Sequence, residues 1–337
     1  MPGLISPRDL PPPPDGMTGW PWTCDELPHV ARTLPDGSPW PLVSVITPSY
    51  NHAHFLEEAI RSVLLQGYPN LEYIVIDGGS SDGSVDLIRK YEPWITSWVS
   101  ERDEGHVHAI NKGFWRSTGD FLAWINADDL LYPGFLIQRV TQFHERPDVA
   151  LVYGDVETAW DRDPRRWQRK GRAITLREMV RTAATPMPQQ ACMWRRRVFD
   201  KIGWLDQKWK TIMDREFLLR TCMHFKAEYI PGKVGLFRFH GGSKSVSISH
   251  VWLDEVPALY TEIFDRPYFP EELKPLRKES LSSAYIFSAR TAYGTGARRL
   301  AYGFTLRAIR AYPKLLLRRN EIYIGLWKCI RRLLRIS

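Results

Sequence analysis

The sequence predicts an α/β protein with a mostly parallel central sheet flanked by helices, followed by a helical C-terminal extension. Three observations predict this class. From residue 42 to residue 153, short apolar runs alternate with segments whose apolar residues recur at helical spacing. Polar clusters follow several of the apolar runs, as they do at the carboxyl ends of parallel strands. After residue 250 the apolar pattern is mostly helical.

The individual elements follow from this alternation. Strands are predicted at residues 42–47, 71–76, 95–99, 121–125 and 149–153. Helices are predicted between them at residues 53–66, 85–91, 107–115 and 135–144. Strands separated by helices of this length form a parallel sheet with right-handed crossovers. Residues 155–172 predict a loop or hairpin, and residues 176–181 and 214–225 predict two further helices.

The composition divides the 337 residues into three segments. Residues 1–41 hold eleven of the 25 prolines and predict an extended or disordered arm, whose tryptophans Trp20, Trp22 and Trp40 pack on the body. Residues 42–250 form the predicted α/β domain. Residues 251–337 form a helical, basic extension.

The sequence shows no secretory signal pattern and no apolar run of membrane-spanning length. The four cysteines are far apart in sequence, which indicates reduced thiols. We therefore expect a cytoplasmic protein.

The predicted strand 121–125 runs into the sequence WINADD, residues 124–129. Carboxylates are costly to bury, so acids at the end of a core strand indicate a cation or a hydroxyl-rich ligand. Hard divalent cations take oxygen ligands, and a carboxylate here can hold Mg²⁺ or Mn²⁺ against phosphates. The structural alternative, that Asp129 caps the helix near Pro133, leaves Asp128 unexplained.

A second polar cluster, DGGSSDGS at residues 77–84, follows the strand 71–76. Its glycines permit tight turns, and Asp82 or Ser84 can cap the next helix. Its glycine spacing does not match a dinucleotide-binding fingerprint. Asp77 stands at the strand end, where its carboxylate can accept an N–H from a nucleobase or simply stabilise the turn.

Residues 42–250 resemble the family 2 glycosyltransferases, whose nucleotide-sugar-binding fold is called GT-A. The resemblance rests on motifs that occur in the family's order: VITPSYN at 45–51, IDGGSSDGS at 76–84, SERDEG at 100–105, AINKG at 109–113, WINADD at 124–129, DREFLLR at 214–220 and RFHGGS at 238–243.

The resemblance implies a role for each matching residue. Thr47, Tyr50 and Asp77 line the base pocket, Asn126 contacts the ribose, and Asp214 is the general base. The metal ligands, for Mn²⁺ or Mg²⁺, are Asp128 and, as a possible second one, His240. The remaining residues expected to bind the nucleotide sugar are Asn51, Gly79, Asn111, Lys112 and Ala127. The chain departs from the usual pattern at Asn126, His108 and Met213, where the family commonly has acids.

The function implied is transfer of a sugar from a nucleotide-diphosphate sugar to an acceptor hydroxyl. With one base and no protein nucleophile, the configuration inverts. The acceptor expected is a lipid-linked or growing saccharide in bacterial cell-surface glycan synthesis. Without the resemblance, the sequence around His240 favours a satisfied core histidine at a strand end over a metal or phosphate ligand.

Three other functions fit the sequence less well. A nucleotidyltransferase needs a glycine-rich basic loop after the first strand, and residues 47–52 hold neither glycine nor Lys/Arg. A membrane-associated sugar-nucleotide-binding protein without transfer activity would have lost Asp214. A nucleic-acid binder is suggested only by the pI of about 9.3, since the basic segment contains no such motif.

The net charge of +8 is concentrated in residues 297–337, which hold eleven basic residues and one acid. A helix over residues 322–335 would separate apolar residues such as Leu326 and Ile330 from four cations, Lys328, Arg331, Arg332 and Arg335. This pattern predicts an interfacial helix on anionic lipid, which would place the enzyme on the inner face of the cell membrane. The alternative is a helix that packs its apolar face on the protein.

Overall fold

The computed structural model describes residues 4–23, 30–161, 163, 165–247 and 249–317. The chain divides into two compact units. The first unit comprises residues 1–173, 186–207 and 224–243, and the second comprises residues 174–185, 208–223 and 244–337. The segments interleave along the chain. The division proposed from sequence, at residues 42 and 251, stays a prediction.

The first unit is built on a nine-stranded mixed sheet. Its strands are β1 (Val43–Ser49), β2 (Leu71–Asp77), β3 (Ser97–Ser100), β4 (Phe121–Trp124), β5 (Leu130–Leu131), β6 (Val149–Trp160), β7 (Arg166–Arg169), β8 (Met193–Arg195) and β9 (Lys226–Phe239). The order is β3-β2-β1-β4-β8-β6-β9-β5, and β7 pairs with β6. Strands β3, β2, β1 and β4 are mutually parallel, as the sequence predicts.

The helices that flank the sheet match the predicted positions. They are α1 (Ala53–Leu64), α2 (Ser84–Tyr91), α3 (His106–Arg116) and α4 (Phe135–Glu145). A further short helix, α6 (Arg196–Ile202), was not predicted. Every residue of β1 is buried, because a parallel strand with helices on both faces has no solvent side. The α/β class with a central sheet and flanking helices is therefore confirmed.

Three strands were not predicted: β5, β8 and β9. The longest of them, β9, contains Pro231, Gly232 and Gly235 and is only partly buried, so it lacks an apolar run. It pairs in parallel with β6 through register shifts, which accommodate these residues. The predicted hairpin over residues 155–172 is confirmed, with β6 and β7 as its arms.

The described part of the proline-rich arm packs on the first unit. Arg61 on α1 is fully buried and its guanidinium donates to the carbonyls of Pro11 (2.8 Å), Pro21 (3.2 Å) and Trp22 (3.2 Å). The indole of Trp20 donates to the carbonyl of Leu131 at 2.7 Å. The prediction that the arm's tryptophans pack on the body is confirmed.

The second unit is helical, as predicted for the C-terminal region. Its helices are α5 (Leu176–Thr182), α7 (Met213–His224), α8 (Lys244–Ser247), α9 (Trp252–Glu262), α10 (Arg277–Gly294) and α11 (Arg298–Ala311). Phe304 and Ala308 of α11 pack with Ala289 of α10 and Leu253 of α9 in one apolar cluster. Residues 318–337, and with them the predicted interfacial helix, lie outside the described residues. Among those described, no helix combines the length and the apolar character needed to cross a membrane.

Candidate metal centre and ligand-binding edge

The polar clusters singled out in the sequence lie at one edge of the sheet. Ser49 at the end of β1 is the register partner of Asp77 at the end of β2, and Ile46 of β1 pairs with Trp124 at the end of β4. Because these strands are parallel, the residues that follow them emerge on the same side. This is the edge at which open α/β sheets bind ligands.

Three side chains converge at this edge to form a candidate metal centre: His52, Asp128 and His240. One ligand atom from each lies within 4.8 Å of the other two. Nε2 of His240 lies 3.0 Å from Oδ2 of Asp128. The imidazole rings of His52 and His240 stand edge to face, with centroids 6.1 Å apart.

Each of the three residues is held by a different element. His52 directly precedes α1, and its backbone N–H donates to the hydroxyl of Ser84 at 3.2 Å. His240 directly follows β9, and its ring packs on Phe55 of α1 at a centroid distance of 4.7 Å. Asp128 follows β4. The centre is therefore assembled by tertiary structure from three separate segments.

The electrostatics of the three groups are coupled. Burial lowers the pKa of His52, against the opposing effect of the Asp128 carboxylate. The hydrogen bond with Asp128 raises the pKa of His240. Burial by itself would raise the pKa of Asp128, but the hydrogen bond from His240 and the nearby His52 together hold it below its usual value. Asp128 is thus an ionised carboxylate between two imidazoles.

The donor set fits a first-row divalent cation. Ligand atoms each about 2.2 Å from an ion lie within about 4.4 Å of one another, close to the spacing found here. Two imidazole nitrogens and one carboxylate oxygen would hold such an ion and leave room for further ligands.

Asp129 has a structural role. It is fully buried and accepts hydrogen bonds from the backbone N–H of Arg238 (3.0 Å), from Gln190 (2.9 Å) and from Asn126 (3.1 Å). Burial, with the neighbouring Asp128 charge, raises its pKa to about 8. It does not cap the following helix, because α4 begins after Gly134. Asp129 therefore ties the loop after β4 to β9, the strand that leads to His240.

Asn126 and Ala127 lie in the same loop. The amide nitrogen of Asn126 donates to Asp129, whereas its Oδ1 is buried with no partner among the described residues. A buried acceptor without a donor is costly, and a ligand group at this edge can supply the donor. A ribose hydroxyl is one such donor. Ala127 is buried, with 1% of its surface exposed.

Asp77 is occupied within its own turn. Its Oδ2 accepts from the backbone N–H groups of Gly79 (3.0 Å) and Ser80 (2.9 Å) and from the hydroxyl of Ser100 (2.7 Å). Its Oδ1 accepts from the Ser80 hydroxyl. The turn-stabilising role is therefore present in the structure, and contact with a nucleobase stays a prediction.

The other residues predicted for the base pocket differ in accessibility. Thr47 is fully buried, and its hydroxyl accepts from Tyr73 at 3.0 Å. Tyr50 is 59% exposed. Asn51 adopts a left-handed φ of 55° and accepts from the backbone N–H of Ser81, which joins the loops after β1 and β2. Gly79 also has a positive φ, 80°, which a side chain would strain.

Asn111 and Lys112 are engaged by neighbouring segments. Asn111 is buried and exchanges two hydrogen bonds with the backbone of Leu205, at 2.9 and 3.1 Å. The ammonium of Lys112 lies 2.9 Å from Glu101. The Lys112 contact joins α3 to the loop of residues 101–105, which lies beside Gly79, whereas the Asn111 contacts join α3 to the segment that follows α6. Their predicted contact with the nucleotide sugar stays a prediction.

Asp214 lies in the second unit, in the first turn of α7. Its Oδ1 accepts from the backbone N–H of Arg215 at 2.8 Å. The side chain is half-buried, in contrast to Glu216 two residues further on, which is fully buried. The role of Asp214 as general base stays a prediction.

Sequence reasoning missed His52. The residue follows the predicted strand 42–47 by five positions, inside the polar cluster that was examined. The sequence signal that could have found it is an imidazole shortly after one predicted strand, when acids follow another predicted strand of the same sheet. Sequence spacing did not reveal it, because Asp128 and His240 are 112 residues apart and meet only in the fold.

Comparison with known proteins defines the class. The profile of glycosyl transferase family 2 matches residues 44–232, more than half of the chain. The structure superposes on S. aureus TarS 1–349 in complex with UDP-GlcNAc with a TM-score of 0.60 at 16% identity, covering 81% of this chain and 82% of that one. It superposes on the mannosyltransferase of Pyrobaculum calidifontis in complex with GDP-Man and Mn²⁺ with a TM-score of 0.54 at 20% identity, covering 88% of each chain. The fold is thus of the GT-A type.

Two relatives by sequence agree with this class. An uncharacterized glycosyltransferase of Mycobacterium tuberculosis is 32% identical over 188 residues, which cover 54% of this chain and 70% of that protein. A PGL/p-HBAD biosynthesis glycosyltransferase of Mycobacterium bovis is 29% identical over 225 residues, covering 64% and 84%. The chain belongs to glycosyl transferase family 2, and it is a glycosyltransferase.

Proposed function

We propose that this protein is an inverting, metal-dependent transferase that moves a sugar from a nucleotide-diphosphate sugar to an acceptor hydroxyl. The observation that carries the proposal is the convergence of His52, Asp128 and His240 at the carboxyl edge of the sheet. The complexes of the two solved neighbours with UDP-GlcNAc and GDP-Man support a nucleotide-sugar donor.

The proposed cation is held by His52, Asp128 and His240. When bound, it supplies positive charge that stabilises the leaving diphosphate. Mg²⁺ prefers oxygen ligands and keeps its waters, whereas imidazole suits first-row transition ions. Two imidazoles in the donor set therefore favour Mn²⁺ over Mg²⁺.

The residues around the centre have proposed roles in donor binding. Asn126 Oδ1, the buried acceptor without a partner, accepts from a ribose hydroxyl. Tyr50, which is exposed at the same edge, packs against the base. Asp77 and Asn51 hold the two loops in shape, and the loops themselves present backbone groups to the nucleotide.

The proposed chemistry needs one base on the acceptor side. Asp214 takes the proton of the acceptor hydroxyl as that oxygen attacks the anomeric carbon. The bond between the anomeric carbon and the diphosphate oxygen breaks, and the diphosphate leaves with the bonding electrons. A single displacement from the opposite face inverts the configuration. The developing charge on the sugar is oxocarbenium-like, as in other glycosyl transfers.

The acceptor we propose is a lipid-linked or growing saccharide, with the enzyme peripheral on the inner face of a bacterial membrane. The support is the basic segment at residues 297–337 and the resemblance to surface-polysaccharide glycosyltransferases. Removal of residues 318–337 should weaken binding to anionic vesicles while the protein continues to hydrolyse the donor.

A donor screen tests the proposed function. Purified protein is incubated with UDP-, GDP- and dTDP-linked sugars in Mn²⁺, in Mg²⁺ and in excess chelator, and release of the nucleoside diphosphate is measured. We expect release from one donor class, faster in Mn²⁺ and abolished by chelator. Full activity in chelator would refute the metal assignment. A product with retained anomeric configuration by NMR would refute the one-base mechanism.

A further inference from the structure

The hairpin formed by β6 and β7 carries an exposed aromatic and basic surface that the proposed reaction does not use. Trp160 ends β6, and Trp167 lies in β7. Trp160 is 46% exposed and Trp167 is 43% exposed, which is unusual for the largest apolar side chain. We call these two residues, with Arg165, Arg169 and Lys170, the hairpin surface.

The strand register places both tryptophans on the same face of the sheet. Thr158 of β6 pairs with Trp167, and Trp160 of β6 pairs with Phe239 of β9. Since side chains alternate along a strand, Thr158 and Trp160 share a face with both partners. The rings confirm this arrangement, because Phe239 lies 5.3 Å from Trp160 and 6.2 Å from Trp167, centroid to centroid.

The opposite face of the same strands is already covered. Ala159 of β6 packs with Leu130 and Leu236, and Trp20 from the arm packs against this cluster. The face that carries the tryptophans packs on the main apolar core at its inner end, through Val156 and Phe237. Trp160 and Trp167 stand at the exposed end of that face, beside Phe239.

The outer part of the hairpin is basic. Residues 160–172 contain six basic residues and two acids, one of which, Asp163, pairs with Arg165. The two acids of β6, Asp155 and Glu157, lie on the face opposite the tryptophans. All four residues of β7 are exposed, and the side chain of Arg165 is 87% exposed. A partner of this surface should be anionic and should accept indole rings.

We infer that the hairpin surface docks on an anionic lipid surface. Tryptophan concentrates at membrane interfaces, where its apolar ring and its N–H are both accommodated. Basic residues near anionic headgroups each add about 1 kcal/mol of attraction. The combination of both on one edge hairpin matches such an interface, and the excess of cations argues against a neutral saccharide as the occupant. This contact is separate from the basic C-terminal segment, and lipid binding can fail while sugar transfer persists.

The test uses the full-length protein and vesicles of phosphatidylcholine with or without phosphatidylglycerol, at low salt. Binding is measured by co-sedimentation. Trp160→Ala/Trp167→Ala and Arg165→Gln/Lys170→Gln should each weaken binding to the anionic vesicles roughly tenfold. Hydrogen exchange of the peptide spanning residues 160–170 should slow when anionic vesicles are added. Vesicles of phosphatidylcholine alone should cause neither effect.

Matched controls separate this surface from general charge and from general exposure. Trp115→Ala removes a tryptophan that is 51% exposed on α3. Arg89→Gln/Lys90→Gln removes the same charge from α2, where both residues lie at the surface. Neither control should change binding by more than twofold. The charge variants keep the hairpin's rings, so they remain informative if the tryptophan variant is destabilised.

Three results would overturn the inference. The first is that hairpin and control variants lose vesicle binding equally. The second is that the hairpin peptide gains no protection from anionic vesicles. The third is that the hairpin variants bind vesicles normally but lose transfer to a soluble saccharide, which would assign the surface to the acceptor.

Discussion

His52 and His54 are two residues apart, yet the fold gives them different surroundings. His52 precedes α1 and joins Asp128 and His240 in one cluster. His54 lies in the first turn of the helix with 63% of its side chain exposed, and its ring nitrogen is 3.8 Å from Asp161. His52 lies before the helix and His54 lies inside it, so their side chains leave the backbone in different directions. His54 therefore offers a natural control for any test of His52.

Asp214 and Glu216 allow a second comparison at the residue scale. Glu216 is fully buried in the second unit and forms ion pairs with Arg220, at 2.9 Å, and with Arg266. Asp214, in the same helical turn, is half-buried and is the proposed base. Substitution of Glu216 should thus lower stability, whereas substitution of Asp214 should lower the catalytic rate.

We predict that Asp214→Asn lowers turnover by a factor of about 10² to 10⁴ with little change in donor affinity. Glu216→Gln should instead lower the free energy of unfolding by about 3 kcal/mol, because the buried Arg220 and the half-buried Arg266 lose their counter-charge. Turnover and melting temperature are measured for both variants. A fall in turnover of Asp214→Asn that merely tracks a lower melting temperature would contradict the catalytic role.

At the scale of elements, Arg61 links the arm to α1. Its guanidinium makes three hydrogen bonds to arm carbonyls and one to the hydroxyl of Tyr91, and its cation stacks on Trp22 at 5.1 Å. A fully buried arginine is tolerated only when its donors are satisfied. The arm supplies most of these acceptors, so arm and helix stabilise one another.

Arg61→Met should therefore destabilise the protein by about 2 to 4 kcal/mol, since several buried carbonyls lose their donor. Limited proteolysis should cut the variant within residues 4–23 faster than the wild type. Arg89→Met, at an exposed position on α2, serves as the control and should change neither property. Equal protease resistance of the two variants would show that Arg61 does not hold the arm.

The motif AINKG, which the sequence associates with ligand binding, also has a packing role. A Cβ at Gly113 in α3 would lie 2.4 Å from a methyl carbon of Ile46 in β1. The glycine thus allows the helix to approach the sheet closely. A Cβ added at Gly303 in α11 would meet no atom of the described residues within 4 Å.

Gly113→Ala should consequently lower the free energy of unfolding by about 1 to 3 kcal/mol through overpacking. Gly303→Ala should raise it by up to about 1 kcal/mol, because alanine favours a helix interior. Denaturant titration of both variants checks the opposite signs. A change of the same sign in the free energy of unfolding of both variants would contradict the packing described for α3.

The elements that could be predicted from sequence are those with a strong local pattern. The parallel strands β1, β2 and β4 are short, mostly buried runs, β3 is a half-buried one, and α1 to α4 repeat apolar residues at helical spacing. The strands that were missed have no such pattern. Only two residues form β5, and β8 has three. Only pairing with distant segments makes these residues strands.

At the scale of the whole molecule, the candidate site could be predicted in part. The residues of each motif were identifiable because polar groups at strand ends are unusual in sequence. Which of them meet was not identifiable, since His52, Asp128 and His240 come from three separate segments. The occupation of Asp77 by its own turn also depends on backbone geometry that no residue pattern specifies.

The central claim is that His52, Asp128 and His240 bind one divalent cation. Titration of Mn²⁺ followed by electron paramagnetic resonance tests it without relying on activity, because the signal of free Mn²⁺ falls on binding. Wild-type protein and His54→Asn should bind one Mn²⁺ with equal affinity. Asp128→Asn and His52→Asn should each weaken that affinity at least roughly tenfold. Unchanged Mn²⁺ affinity in Asp128→Asn would contradict the account.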